Sequence, residues 1–342
     1  METNRLVTQK TETKRMEPDL KLINMETVEV EQIKWLFYPF IPFGKVTIIQ
    51  GDPGEGKTTM VLQIIAKLTR GEKILPEQEQ ETEENSGAEM VVDSDLKLSE
   101  SPMEPVNVIY QTAEDGLGDT IKPRLLAAGA DCSRVMVIDD REQPLTMLDI
   151  RLEDAIMQTK SRLVVLDPIQ GFLGAEVDMH RANEIRPLMK RVAVLAEKYH
   201  CAIILIGRMN KNSNGKSSYR GLGSTDFQAA ARSVLIVGRI KDEPEIRVLC
   251  HVKSSLAPEG KSIAFRLDKE TGFEWIGEYD ISADDLISGD SRGQKAGKRK
   301  SSCWRYWLTV VWLRERLKKK LKSVGLRRKH CEMQNWNWRL IL

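Results

Sequence analysis

Short, continuous apolar runs alternate along this chain with stretches of helical period. Lys45 to Gln50 (KVTIIQ), residues 106–115 (VNVIYQTAED), 134–139 (RVMVID), 162–167 (RLVVLD) and 201–207 (CAIILIG) are brief, rich in Val, Ile and Leu, and bounded by polar or glycine-containing segments. Runs of this kind predict strands buried on both faces. Between them, Thr58 to Leu68, residues 119–131 with Pro123 in the first turn, and Met147 to Lys160 read as helices. In residues 183–199, Ile185, Leu188, Met189, Val192, Leu195, Ala196 and Tyr199 fall on one helical face. The alternation predicts an α/β fold with a mostly parallel sheet covered on both sides. After residue 230 the rhythm changes. SVLIVGRI, EIRVLCHVK and SIAFRL follow one another with short turns, which predicts an antiparallel extension of the same sheet.

The link between the first strand and the first helix carries the clearest chemistry. GDPGEGKTT, residues 51–59, fits G-x-x-x-x-G-K-[ST] through Gly51, Gly56, Lys57 and Thr58. Glycines let successive backbone N–H groups turn inward around an anion. Lys57 reaches β- and γ-phosphates, and the Thr58 hydroxyl ligates Mg²⁺. A strand before the loop and a helix after it, with the helix N-terminus facing the phosphates, complete the context. The residues expected around a nucleoside triphosphate are Gly51, Asp52, Pro53, Gly54, Glu55, Gly56, Lys57, Thr58 and Thr59. Just upstream, the aromatic stretch Trp35 to Lys45 (WLFYPFIPFGK) either packs beside the sheet or lies over the nucleotide base.

Two acids end predicted strands. Asp167 fits a carboxylate that holds Mg²⁺ or its water, and Glu114 one that polarises a water for attack on the γ-phosphate, with Asp115 as its neighbouring rival. In an open parallel sheet such groups converge on the crevice at the strands' C-terminal ends. A carboxylate poised for water points to hydrolysis. Transfer to a small-molecule acceptor and a non-motor, ATP-gated DNA-binding regulator remain the alternatives.

Composition adds bounds. No apolar run approaches the length of a membrane span, the first residues (METNRLVTQKTETKRME) lack a signal-peptide pattern, and five scattered cysteines form no C-x-x-C pair. The expectation is a cytoplasmic protein in a reducing compartment, with no membrane partner. The near-neutral net charge hides an asymmetry. Residues 291–342 hold 16 of the 52 lysines and arginines but only two of the 50 acids, which leaves 36 basic against 48 acidic residues in the rest. Residues 1–25 read as a flexible leader, and residues 77–104, with ten acids and one lysine, as a solvated insertion.

Taken in order, GDPGEGKTT, VIYQTAEDG, VVLDPIQGF, LIGRMNK and YRGLGSTDFQAAARSVLIVGR resemble the RecA superfamily, and more closely its RepA-like hexameric helicase group, over about residues 24–280. The resemblance implies a RecA-like three-layer P-loop NTPase core over 26–285, with the 202–207 strand between those bearing Lys57 and Asp167. It also implies ATP and Mg²⁺ as cofactors, a homo-oligomeric ring, and action on DNA. It matches Glu114 to the catalytic glutamate and Asp167 to the Mg²⁺-associated acid. Arg208 takes a sensor position where relatives carry His or Gln. RVLCHVKSS matches the segment that reaches a neighbour's ATP, with Lys253 present and Ser254 and Ser255 where an Arg is usual; Arg232 is another candidate. The polar stretch 210–226 matches a pore loop in which Lys211, Lys216 and Arg220 would contact a single-stranded DNA backbone without reading sequence. Beyond residue 286 a basic linker leads into a tail with five of the seven tryptophans and no aspartate after residue 301. The run from Trp304 to Lys322 is compatible with a basic amphipathic helix, but the abrupt change of composition favours a frame-shifted reading of the gene.

Overall fold

The computed structural model describes residues 22–75, 104–209, 225–268 and 270–288. Most of the acidic insertion, the 210–224 stretch with Lys211, Lys216 and Arg220, and the tail beyond Ser288 lie outside the described residues. Two compact units divide between Ile33 and Lys34. In the first, the described residues hold one 3-10 turn, Met25–Thr27, capped by the Asn24 side chain.

The second unit begins with a small hairpin, β1 (Trp35–Phe37) and β2 (Ile41–Pro42). A large sheet follows: β3 (Val46–Gly51), β4 (Val108–Thr112), β5 (Val135–Met136), β6 (Leu163–Asp167), β7 (Ala202–Arg208), β8 (Ser233–Ile240), β9 (Glu243–Ser254), β10 (Ser262–Asp268) and β11 (Gly272–Tyr279). Their order across the sheet is β11-β10-β9-β8-β3-β7-β6-β4-β5. Strands β8, β3, β7, β6, β4 and β5 run parallel, and β8 to β11 continue antiparallel. β7 lies between β3 and β6, as the resemblance implied.

The central strands are apolar throughout because helices cover both faces. Ile49, Val165, Ile204 and Tyr110 face one cluster with α1 (Lys57–Thr69) and α2 (Lys122–Ala127). Ile48, Val164, Ile203 and Ile109 face the other, with α3 (Ile150–Thr159) and α4 (Ala182–Tyr199). The predicted face of α4 is buried from Ile185 to Ala196, and Tyr199 is half-buried. The short helices α5 (Thr225–Ala230) and α6 (Ala283–Ser288) complete the unit, with α6 packing on the antiparallel wing.

Several boundaries differ from the sequence reading, each for a local reason. The 134–139 run is a strand only at Val135–Met136. Beyond it the Gln111 amide takes both backbone groups of Ile138, at 3.0 Å each, where a ladder would otherwise continue. The 119–131 helix is instead a π-helical turn, Leu117–Ile121, followed by α2, with Pro123 in the first α-turn. α3 starts at Ile150 because the Asp149 carboxylate caps it by accepting from the Arg151 N–H. β11 was not anticipated; it is an outer strand of largely exposed residues whose Phe273 and Trp275 pack on Phe265.

The aromatic stretch before β3 belongs to the core. Leu36, Phe37, Phe40 and Ile41 are buried in the α1-side cluster. This hairpin feeds the N-terminal end of β3, whereas the phosphate loop leaves the other end, roughly 20 Å further along six residues. Packing beside the sheet, not stacking on a base, is therefore the arrangement found.

Candidate active site

The glycines of the 51–56 loop are where backbone geometry demands them. A Cβ on Gly51 would strike the Val237 carbonyl on β8, and Gly56, the N-cap of α1, has φ 85°. The loop then turns straight into α1. Lys57, buried, donates to the carbonyls of Gly51 and Asp52 at 2.8 Å each. Burial lowers its pKa, opposed by the charges of Asp167, Glu55 and Asp52.

Residue alternation delivers the remaining groups to the α1 face. On β6, Leu163 and Val165 face α1, so Asp167 does as well; on β4, Val108 and Tyr110 do the same. The Thr58 hydroxyl donates to Asp167 Oδ2 at 2.7 Å, and the Tyr110 hydroxyl to the same oxygen at 2.8 Å. Asp167 is 8 % exposed. Burial raises its pKa, and the hydrogen bonds from Thr58 and Tyr110 pull it back. Burial, then the Asp167 charge, raises that of Tyr110.

The chain turns sharply after β4. The Thr112 hydroxyl accepts from the N–H of Asp115 at 3.1 Å and of Glu114 at 3.4 Å. This turn sends the two rival acids to different partners. Asp115 lies 3.7 Å from Arg124 of α2, while Glu114 is ion-paired and hydrogen-bonded with Arg208 at the end of β7. Arg208 is in register with Gly51, so the pair stands beside the start of the phosphate loop. Both side chains are about half exposed, 51 % for Arg208 and 49 % for Glu114.

Lys253 is elsewhere. It pairs with Val234 near the start of β8, level with Ile48 and so roughly 10 Å below Gly51 along the sheet. Its ammonium donates to the carbonyls of Gln228, Ala229 and Ala231 at 2.8, 3.1 and 2.9 Å, closing the C-terminal end of α5. Arg232, at the same end of the sheet, donates its backbone N–H to Val46. The structure thus joins the loop, Asp167, Glu114 and Arg208 at one edge, and leaves Lys253 and Arg232 apart from it.

Tyr110 was missed in the sequence, although its place two residues before Thr112 on a strand puts it on the same face as Asp167. Arg239 of β8 was missed too. It donates to the Gly54 carbonyl at 3.4 Å and lies 3.6 Å from Glu55 Oε1.

The site fits Mg²⁺ and a nucleoside triphosphate. A glycine-rich loop that runs into the N-terminus of α1, with Lys57 at its end, suits phosphates, and one hydroxyl beside one carboxylate suits a cation that completes its shell with phosphate oxygens and water. Among the described residues no group of three or more His, Cys, Asp or Glu side chains forms a metal cluster of its own. Also among them, no helix is long and apolar enough to cross a membrane.

Comparison with known proteins agrees with this geometry. A family model described as an AAA domain matches residues 10–214, more than half of the chain. The matched span takes in the phosphate loop, Glu114, Asp167 and Arg208 and stops before the antiparallel wing. No curated protein matches the chain.

Proposed function

The chain belongs to the AAA domain family, and from that premise we propose that it is a DNA-associated ring ATPase of a mobile genetic element, a RepA-like helicase or translocase that works in replication or recombination. That it is an ATPase of the P-loop class follows from the family; the DNA, the ring and the motor action are the proposal. The observation that carries the hydrolytic reading is the 2.7 Å contact between Thr58 and Asp167, on the strand next to the one that leads to Glu114.

In this reading the loop amides and Lys57 bind and orient the phosphates. Thr58 and Asp167 would hold Mg²⁺, which would neutralise charge on the phosphates of ATP. Glu114 parts from Arg208 to polarise a water, and Arg208 turns to a phosphate oxygen. Lys253, remote from its own loop, would have to leave the carbonyls at the end of α5 to reach a neighbouring protomer's ATP, and Arg232 is the other candidate for that role. Support for DNA comes from the order of the motifs and from the polar stretch that follows Arg208.

The test is ATP hydrolysis with and without single-stranded DNA. Wild type is expected to hydrolyse ATP, faster with DNA, and Lys57→Ala to lose roughly 100-fold or more. Hydrolysis untouched by Lys57→Ala removes the site. Phosphate transfer that needs a small acceptor and ignores DNA makes the protein a phosphotransferase. Native mass measurements that find only monomers with ATP dispose of the ring.

A further inference from the structure

A carboxylate in a phosphate-binding loop opposes the loop's purpose. Asp52 and Glu55 both lie within the nine-residue motif, with Lys57 as its one basic residue. A negative charge a few ångströms from a polyphosphate weakens binding, and more so where water is partly excluded. Glu55 is not turned out to solvent. Its side chain is only 16 % exposed, and Oε2 is buried with no hydrogen-bond partner.

What meets Glu55 comes from the antiparallel wing. Arg239 Nη2 lies 3.6 Å from Glu55 Oε1 and also donates to the Gly54 carbonyl. Arg239 stands directly across the β8–β9 ladder from Arg247. Like charges opposite each other destabilise a ladder unless an anion joins them. Arg247 backs the loop closely: a Cβ on Gly56 would come within 3.5 Å of its Cδ. Its Nη1 donates to the carbonyls of Pro244, Glu245 and Leu267, while Nε is buried without a partner. Burial and the charge of Arg239 lower the pKa of Arg247, and the charge of Glu55 opposes them. Two guanidinium groups and one carboxylate thus share the outer side of the loop.

On the reading that this loop binds a nucleotide, we propose that Arg239 is a positioning residue for that binding: it neutralises Glu55 and so keeps the loop's own carboxylate from opposing the phosphates. Arg239 acts through Glu55 and does not itself take a phosphate. Nucleotide affinity is then set partly by the antiparallel wing, outside the segment that matches the AAA domain family.

The experiment is the dissociation constant of ADP with Mg²⁺, measured by calorimetry on the full chain, with thermal unfolding to check that each variant folds. Arg239→Ala is expected to weaken binding roughly five- to tenfold. Arg239→Lys, which keeps the charge but loses the planar fork, should lose about twofold. The decisive variant is Glu55→Gln combined with Arg239→Ala. With the carboxylate gone the arginine is no longer needed, and binding returns to within about twofold of wild type. An arginine that merely supports the fold gives a double variant as weak as Arg239→Ala, which overturns the assignment, as does wild-type affinity in folded Arg239→Ala. Lys57→Ala separates the two levels. ADP binding unaltered by Lys57→Ala removes the nucleotide reading, and the role of Arg239 with it. Binding lost in Lys57→Ala but unchanged in Arg239→Ala overturns the arginine's role alone.

Discussion

Asp167 and Glu114 come from adjacent parallel strands, and Thr112, two residues before Glu114, is in register with Asp167. Their surroundings are opposite. Asp167 is buried, and one of its oxygens accepts from both Thr58 and Tyr110. Glu114 is half exposed and paired with a half-exposed arginine. The difference lies in what each can do without cost. A buried carboxylate with fixed donors cannot leave, since moving it would strand polar groups away from water. A solvent-screened ion pair is worth little and exchanges readily. The fixed acid therefore suits a metal, and the exchangeable acid suits a water that must be activated only when the phosphate is in place.

The strongest way to break this contrast is to neutralise each acid in turn. Asp167→Asn is expected to lower ATP hydrolysis by roughly 1000-fold, as loss of a metal-holding charge does. Its melting temperature should hold or rise, because the amide oxygen still accepts from Thr58 and Tyr110 and no charge is buried. Glu114→Gln should cost roughly 100-fold in hydrolysis, with nucleotide affinity and melting temperature retained. Equal losses of hydrolysis in the two variants, with the same effect on Mg²⁺ dependence, would abolish the distinction. Next in size is Arg208→Ala, expected to reduce hydrolysis about tenfold because the residue that would turn to phosphate is gone. A rise in basal hydrolysis instead would make Arg208 a restraint on Glu114.

The same contrast separates what could be read in the sequence from what could not. The parallel half was legible because its strands are buried on both sides and leave unbroken apolar runs; RLVVLD and CAIILIG have no other economical reading. Asp167 followed, since a charged residue ending such a run has a fixed address. Glu114 was legible as a position but not as a pair, because its contact with Arg208 joins residues 94 apart in the chain. β11 escaped because its burial alternates but its sequence does not show it: apolar Ile276 lies at an exposed position and Gly277 at a buried one. Tyr110 looked like one more apolar strand residue, and only the fold shows its hydroxyl directed at Asp167.

Tyr110→Phe sharpens the buried side of the comparison. The ring is fully buried, so Phe keeps the packing and removes only the donor to Asp167. The expected loss is about 2 kcal/mol in urea unfolding, as for a hydrogen bond to a charged group. Hydrolysis should fall by roughly threefold, since Thr58 still holds the carboxylate. Unchanged stability would mean that Asp167 is held by Thr58 alone.

The smallest effect concerns pH, and its sign can be worked out. His251 on β9 is 7 % exposed, stacks on Phe40 with ring centres 4.6 Å apart, and has both ring nitrogens buried, with the backbone of Pro39 and Gly260 nearby. Burial lowers its pKa below 6.5, opposed by the charge of Glu259. The folded protein then binds fewer protons than the unfolded chain below that value. Stability contributed by neutral His251 is complete above pH 6.5 and is lost as pH falls through the lowered value, at up to about 1.4 kcal/mol per pH unit. Asp167 works in the other direction. Its raised pKa means that the folded protein binds more protons above 3.8, so its burial penalty is relieved as pH falls through the raised value. Two buried groups of opposite charge thus pull the acid limb of the stability curve in opposite directions. His251→Phe keeps a ring against Phe40 and removes one of them. Urea unfolding between pH 5 and 7 should show a flatter pH dependence in this variant than in wild type, and an equally steep decline in both would assign the acid sensitivity to other groups.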